Sequence, residues 1–276
     1  MTLADLPPLR EVIRAYELGA KKSLGQNFLL DLNLTRKIAR SAQLTPDMTV
    51  IEVGPGPGGL TRALLEQDIR KLVAIERDDR CIRALGDVKA ASAVPFEVIA
   101  DDALNIDVRD IAPSPRAVVA NLPYNIATPL LINWIRDSQD YQSLTLMFQK
   151  EVAQRIIAAP KTKAYGRLSV ICQWRAACSI AFDVPASAFT PPPKVTSSIV
   201  RCVPYHFKAP QPRFETVEKI TALAFQQRRK MLRQSLKKLS PNVLDILKQA
   251  GLDETTRADA VAVEDYIRLA QVYEAC

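Results

Sequence analysis

Short apolar runs alternate with longer amphipathic stretches through the middle of this chain. Residues 49–53 (TVIEV), 71–76 (KLVAIE), 96–100 (FEVIA), 117–120 (AVVA) and 143–148 (SLTLMF) are mostly aliphatic or β-branched. They are too short for membrane spans and, on the whole, do not alternate with polar residues, as expected for strands covered on both faces. Helical spacing between them makes residues 49–204 an α/β unit with a mainly parallel sheet. Residues 168–180 and 197–203 predict a final pair of strands. Residues 1–45 read as helical. The stretch 204–212 carries prolines 204, 210 and 212 and reads as a linker. Residues 213–276 read as a small helical domain. Phe225, Leu232, Leu236 and Leu239 recur there at helical spacing, which predicts one amphipathic helix. No internal repeat or low-complexity tract interrupts the pattern.

The chemistry gathers at the C-terminal ends of these predicted strands, where open α/β sheets bind ligands. The chain has nine glycines, four of which lie in Glu52-Val53-Gly54-Pro55-Gly56-Pro57-Gly58-Gly59. Glycines between a strand and a helix let backbone approach a ligand closely. The spacing Gly54-x-Gly56-x-x-Gly59 also fits a dinucleotide fingerprint. Prolines 55 and 57 remove amide donors that a pyrophosphate would use. Glu52 places an acid beside the loop, which suits a cationic sulfonium ligand better than a diphosphate. Glu76 ends the next strand about 20 residues on, the usual place for an acid that grips ribose hydroxyls. Asp101-Asp102 ends the third, where a carboxylate can accept from an adenine amino group. Asn121-Leu122-Pro123-Tyr124 follows the fourth. There an amide oxygen and a proline-stiffened backbone carbonyl can accept both N–H groups of an exocyclic amine, while the Tyr124 ring stacks on the base.

Composition and charge narrow the partner. The 276 residues are 48% hydrophobic and 24% charged, as in globular proteins that bury a sizeable core. The first residues include acids and prolines and show no apolar signal core. Cys81, Cys172, Cys178, Cys202 and Cys276 have no CxxC spacing, and His206 is the single histidine, so no zinc site is expected. Scattered cysteines without a secretion signal predict reduced thiols in a cytoplasm. His206 reads as a surface residue. The formal net charge is +7. Residues 225–238 hold six bases (Arg228, Arg229, Lys230, Arg233, Lys237 and Lys238) and no acid. Arg229, Arg233 and Lys237, four apart, predict a cationic stripe facing RNA phosphates. Lys21 and Lys22 add to the same basic character.

On these motifs the chain resembles the KsgA-like rRNA adenine N6-dimethyltransferase family over nearly its whole length. The resemblance runs through Gly25-Gln26-Asn27-Phe28-Leu29, Glu52 to Thr61, Glu76, Asp102-Ala103-Leu104 and Asn121-Leu122-Pro123-Tyr124. It continues through Gln149-Lys150-Glu151-Val152-Ala153, Tyr165-Gly166-Arg167-Leu168-Ser169 and Phe189-Thr190-Pro191-Pro192-Pro193-Lys194-Val195, and closes on Gln227-Arg228-Arg229-Lys230. Asp101 departs from it, because the family often has a small or uncharged residue there.

The resemblance implies a class I, Rossmann-like methyltransferase sheet at residues 1–204 and a small all-helical RNA-binding domain at 205–276. It implies S-adenosylmethionine as cofactor, held by Gln26, Asn27, Leu29, Glu52, Gly54, Gly56, Glu76, Asp102 and Asn121. Asn121, Leu122, Pro123, Tyr124 and Phe189 would form the catalytic pocket, with Tyr124 and Phe189 sandwiching the base. Arg228, Arg229, Lys230, Arg233 and Lys237 would bind RNA. The implied substrate is a pair of adjacent adenosines near the 3′ end of 16S rRNA in the small (30S) ribosomal subunit, dimethylated by a monomer late in assembly. Two enzyme readings stay open beside it: a large-subunit rRNA adenine methyltransferase and a DNA adenine methyltransferase. So does an assembly checkpoint that acts by binding alone.

Overall fold

A computed structural model describes residues 2–19 and 26–276. Gly25, Lys21 and Lys22 lie outside the described residues. Two compact units are present: Met1–Ala153 with Ser179–Val203, and Gln154–Cys178 with Pro204–Cys276. The boundary expected at 204 therefore accounts for only part of the division, because residues 154–178 belong with the C-terminal helices.

The first unit is built on a seven-stranded sheet. Its strands are β2 (Thr49–Val53), β3 (Lys71–Glu76), β4 (Phe96–Ala100), β5 (Arg116–Ala120), β6 (Ser143–Gln149), β7 (Ala176–Val184) and β9 (Ser197–Pro204), in the order β4-β3-β2-β5-β6-β9-β7. The five strands from β4 to β6 pair in parallel, and β9 runs antiparallel to β6. Every residue of β2 and β5 is buried, hence the aliphatic residues that dominate both, with Thr49, Glu52 and Arg116 as buried polar exceptions. The terminal strand β7 instead alternates covered and exposed positions along its interior. A two-stranded antiparallel ribbon lies outside the sheet and pairs β1 (Phe28–Leu29) with β8 (Phe189–Thr190).

Helices α1 (Leu9–Ala15) and α2 (Leu32–Ser41) bear out the helical reading of the N-terminal residues on either side of β1. Helix α3 (Gly59–Leu65) follows the glycine loop, and α4 (Asp79–Ala91) follows β3. After the short α5 (Val108–Ile111) and β5 comes α6 (Tyr124–Arg136), which starts within the Asn-Leu-Pro-Tyr motif. Helix α7 (Lys150–Ile156) follows β6. Among the described residues no helix is long and apolar enough to cross a membrane.

The second unit corrects two sequence expectations. Residues 168–180 do not form one strand: α8 (Arg167–Arg175) precedes β7. Ser169, Val170, Ile171, Cys172 and Trp174 are all buried, so α8 shows neither a two-residue nor a 3.6-residue period. Its start is marked by Ser169 Oγ, which accepts the Gly166 N–H at 3.0 Å. Residues 225–239 do not form one helix either. Helix α9 (Phe214–Gln226) ends, a turn closes with the Lys230 N–H on the Gln227 carbonyl at 2.8 Å, and α10 (Leu232–Ser235) begins afresh. The Leu232 and Arg233 N–H groups donate to the Thr256 and Glu254 carbonyls, so contacts distant in sequence override the local helical pattern. Leu232, Leu236 and Leu239 are still buried, but the four-apart cationic stripe does not lie on one helix. Helices α11 (Val243–Gln249) and α12 (Val263–Ala275) complete the unit.

Aromatic contacts hold this unit together. Trp174 stacks on Phe214 with centroids 5.8 Å apart, and Phe225 lies between Tyr165 and Tyr266 at 5.9 and 5.8 Å. Both buried tyrosines keep a hydroxyl partner: Tyr165 donates to the Val261 carbonyl at 2.9 Å and Tyr266 to the Ala258 carbonyl at 2.8 Å. Tyr165, part of the family resemblance, thus does its work in this core.

Two glycines test the packing. A Cβ on Gly59 would lie 2.6 Å from the Leu29 carbonyl oxygen, whereas one on the exposed helical Gly86 meets nothing within 4 Å. Gly59→Ala should lower stability in urea denaturation by roughly 1–3 kcal/mol. Gly86→Ala should raise it by about 0.5–1 kcal/mol. Equal midpoints for the two variants would refute the close approach of α3 to β1.

Candidate active site

Strands β2, β3, β4 and β5 end side by side, and their C-terminal residues enclose one cleft of about 1110 Å³, including its open mouth. Gln26, Asn27, Leu29, Glu52, Gly54, Gly56, Glu76, Asp102, Asn121, Leu122, Pro123, Tyr124 and Phe189 all line it. Thus the structure brings every residue expected for cofactor binding or catalysis to one place. They come from six separate stretches of chain, and β1 and β8 deliver Leu29 and Phe189 opposite each other in register.

The glycine loop is fixed from below. Gly54 and Gly56 have φ of +69° and +57°, conformations that side-chain-bearing residues rarely adopt. The Gly54 N–H donates to the Ile75 carbonyl at 3.0 Å, and the Gly56 N–H donates to Glu76 Oε2 at 3.1 Å. Glu76 Oε1 accepts two more backbone N–H groups, from Arg77 and Asp78, both at 2.9 Å. Burial raises the Glu76 pKa, and these three bonds draw it back. The next two residues continue the network. Arg77 Nη1 donates to Asp102 Oδ2 at 2.8 Å, and Asp102 Oδ1 accepts the Leu104 N–H. Asp78 accepts from Gln26 Nε2 at 3.3 Å and from Arg80, whose guanidinium holds the Asp78 carboxyl at about 2.

Glu52 behaves otherwise. It is 1% exposed, and burial pushes its carboxyl up to about 8, with the negative Glu76 adding to the rise. The neighbouring Thr61 hydroxyl opposes the shift, although neither that hydroxyl nor Glu52 Oε2 completes a hydrogen bond. Glu52 therefore carries a proton at neutral pH, not the standing negative charge expected from the sequence. Its Oε2 is a buried acceptor still lacking a donor.

At the end of β5, Asn121 Nδ2 donates to the Asn27 carbonyl at 3.3 Å. That bond uses the amide's donor side and leaves Oδ1 as its acceptor. The half-buried Tyr124 shares a 2.6 Å hydrogen bond with Ser197 Oγ, and Phe189 is buried at the cleft wall. Ser197, fully buried on β9, escaped the sequence reading because 73 residues separate it from Tyr124 and only strand pairing brings it near. Arg77 was also missed, although its place directly after Glu76 was a usable signal.

The basic residues belong to the second unit. Arg229, Lys230 and Lys237 are exposed. Arg233 pairs with Glu254 at 2.8 Å. Arg228 is half-buried and turned inward to Asp259 and to the Thr162 and Lys163 carbonyls.

The Glu52 proton has a measurable consequence. A raised folded-state pKa contributes stability that is full below the ordinary value near 4.5 and lost as pH rises through about 8. Glu52→Gln removes this contribution. The thermal midpoint of the wild-type chain should fall relative to that of the variant between pH about 5 and about 9. A constant offset across the range would place the titration elsewhere.

The comparisons agree with this geometry. The family model for "Ribosomal RNA adenine dimethylase" matches residues 18–275. "Ribosomal RNA small subunit methyltransferase A" of Xanthobacter autotrophicus is 56% identical, covering 98% of this chain and 95% of that protein. The protein of the same description from Sinorhizobium medicae is 54% identical over 97% of this chain and 98% of its own. Among solved structures, a dimethyladenosine transferase from Plasmodium falciparum superposes with a TM-score of 0.77 at 25% identity, covering 89% of this chain and 96% of that one. The 23S rRNA methyltransferase ErmE gives 0.68 at 28% identity, covering 90% and 100%. A cleft that joins a glycine loop to an Asn-Leu-Pro-Tyr strand end, matched over almost the entire sequence, places this chain in the ribosomal RNA adenine dimethylase family.

Proposed function

We propose that this chain dimethylates the N6 amines of two adjacent adenosines near the 3′ end of 16S rRNA, using S-adenosylmethionine. The observation that carries the reading is the orientation of Asn121. With Nδ2 donating to the Asn27 carbonyl, its Oδ1 is the acceptor that the side chain offers to an incoming amine. The Leu122 carbonyl supplies a second acceptor next to it.

The cleft fits the cofactor on its own chemistry. Glu52 Oε2 is a buried acceptor without a partner, which a donor-bearing cation would satisfy. Glu76 is held rigid by three N–H groups, and Oε2, which accepts only one of them, still has a lone pair for a ribose hydroxyl. Gln26, Asn27, Leu29, Gly54, Gly56, Asp102 and Asn121 would complete the cofactor's surroundings. When bound, the cofactor supplies an electrophilic methyl group.

The protein's part is to position and polarise. The adenine amine is a poor nucleophile because its lone pair is delocalised into the ring. Two acceptors, Asn121 Oδ1 and the Leu122 carbonyl, draw its N–H bonds to one side and localise that lone pair on the other. They also favour the positive charge that grows on nitrogen during transfer. Alignment of this kind is worth up to roughly 7–11 kcal/mol. Tyr124, held by Ser197, and Phe189 would flank the base, each stack contributing roughly 1–3 kcal/mol. Asn121 is an amide rather than a base, so the released proton goes to solvent. The second round engages one acceptor, since a monomethylated amine retains one N–H.

Small subunits lacking adenine dimethylation, incubated with the chain and labelled S-adenosylmethionine, should yield dimethyladenosine in their RNA. Transfer only to large-subunit RNA or DNA would overturn the substrate assignment. Asn121→Ala should cut transfer by about 100-fold or more. Glu76→Ala should weaken cofactor binding by calorimetry at least about tenfold, equivalent to 1.4 kcal/mol, while RNA affinity stays level. Intact cofactor affinity in that variant would remove Glu76 from the site.

A further inference from the structure

The second unit contains a basic loop between α7 and α8. Residues 159–163 connect α7 to the stretch before α8 and include Lys161 and Lys163, both exposed. The loop is tightly held. Lys161 sits at φ +68°, a left-handed conformation costing a side-chain-bearing residue roughly 1–2 kcal/mol. Its N–H donates to the Asp259 carbonyl at 2.7 Å, and Thr162 Oγ1 donates to the Ala159 carbonyl at 2.7 Å.

Arg228 is the clamp. Its Nη1 donates to the Lys163 carbonyl at 2.7 Å, its Nη2 to the Thr162 carbonyl at 2.8 Å and its Nε to Asp259 Oδ2 at 3.2 Å. All three guanidinium nitrogens are engaged inside the protein. The same bonds bring the loop against the turn that carries Arg229 and Lys230. Nearby acids are already spent, Asp259 on Arg228 and Glu254 on Arg233. Lys161, Lys163, Arg229 and Lys230 make no ion pair among the described residues. With Lys161 held in a left-handed conformation and neither lysine compensated by an acid, the loop extends the positive surface of the Arg229–Lys230 turn, and such a surface fits a phosphate backbone.

We infer that Lys161 and Lys163 are RNA-phosphate contacts of this enzyme and that Arg228 is their positioning residue, not itself a contact. The inference rests on the RNA-substrate reading above and refines it by moving the sequence-assigned role of Arg228 to the loop it holds.

The test is RNA binding to a transcript of the 3′ region of small-subunit rRNA, titrated with salt. Lys161→Ala with Lys163→Ala should weaken binding and reduce the slope of log affinity against log salt by roughly 1.4–1.8, the value for two lost phosphate contacts. An unchanged slope overturns the inference. Arg228→Gln should weaken binding in the wild-type background and add little when both lysines are already alanine. Full additivity would make Arg228 a direct contact and overturn its positioning role. Trypsin reports on the loop independently: Arg228→Gln should speed cleavage after Lys161 and Lys163, with other sites unchanged. Cleavage there at the wild-type rate would overturn the clamp. Wild-type chain that shows no salt-dependent RNA binding would defeat the RNA-substrate reading itself, an outcome distinct from any of these.

Discussion

The architecture of the cleft depends on one buried carboxylate. Glu76 closes β3 and accepts three backbone N–H groups, from Gly56, Arg77 and Asp78. A carboxylate taken from water must be met by donors or it gives up its charge. The donors available here are the glycine loop and the turn after the strand, so satisfying one charge fixes both segments. From that turn Arg77 reaches Asp102 and Asp78 meets Gln26, so three strand ends and the segment before β1 become one surface. Glu52 shows the other outcome: with no completed hydrogen bond on Oε2, it keeps its proton.

The two units answer to different electrostatic needs. In the proposed reaction, neutral acceptors at Asn121 and Leu122 suit an amine whose charge develops only during transfer, and a fixed negative charge would hold the product as tightly as the transition state. For the proposed RNA contact, the second unit needs long-range attraction to a polyanion. There, acids such as Asp259 and Glu254 occupy some arginines and leave others uncompensated. A count of basic residues could not have told these groups apart.

The legible parts of the fold were those dictated by local physics. Strands β2, β3 and β5 are covered on both faces, so their sequences are almost wholly apolar and their ends could be placed within a residue. Glu52, Glu76, Asp102 and Asn121 were legible because each stands at a strand end with a polar group fitted to a nucleoside or an amine, whereas Gln26, Asn27, Leu29 and Phe189 came from the family resemblance alone. Elsewhere the signal was non-local. Helix α8 is buried so broadly that no period survives, and its neighbours on α9 come from 40 residues downstream or more. The break between α9 and α10 is imposed by residues 254–256. Ser197 reaches Tyr124 only through the pairing of β9.

The division of the chain bears on its synthesis and on how it can be cut. Residues 154–175 leave the ribosome before the strands β7 and β9 that complete the sheet, yet their packing partners lie beyond residue 204. Trp174 waits for Phe214, and Tyr165 for Phe225 and Val261. During translation this apolar segment is exposed for the time needed to add the last several dozen residues, a window in which chaperones or aggregation compete for it. A chain ended at 204 would keep that exposure permanently. No single cut separates the two units, because residues 154–178 of the second lie within the sequence of the first.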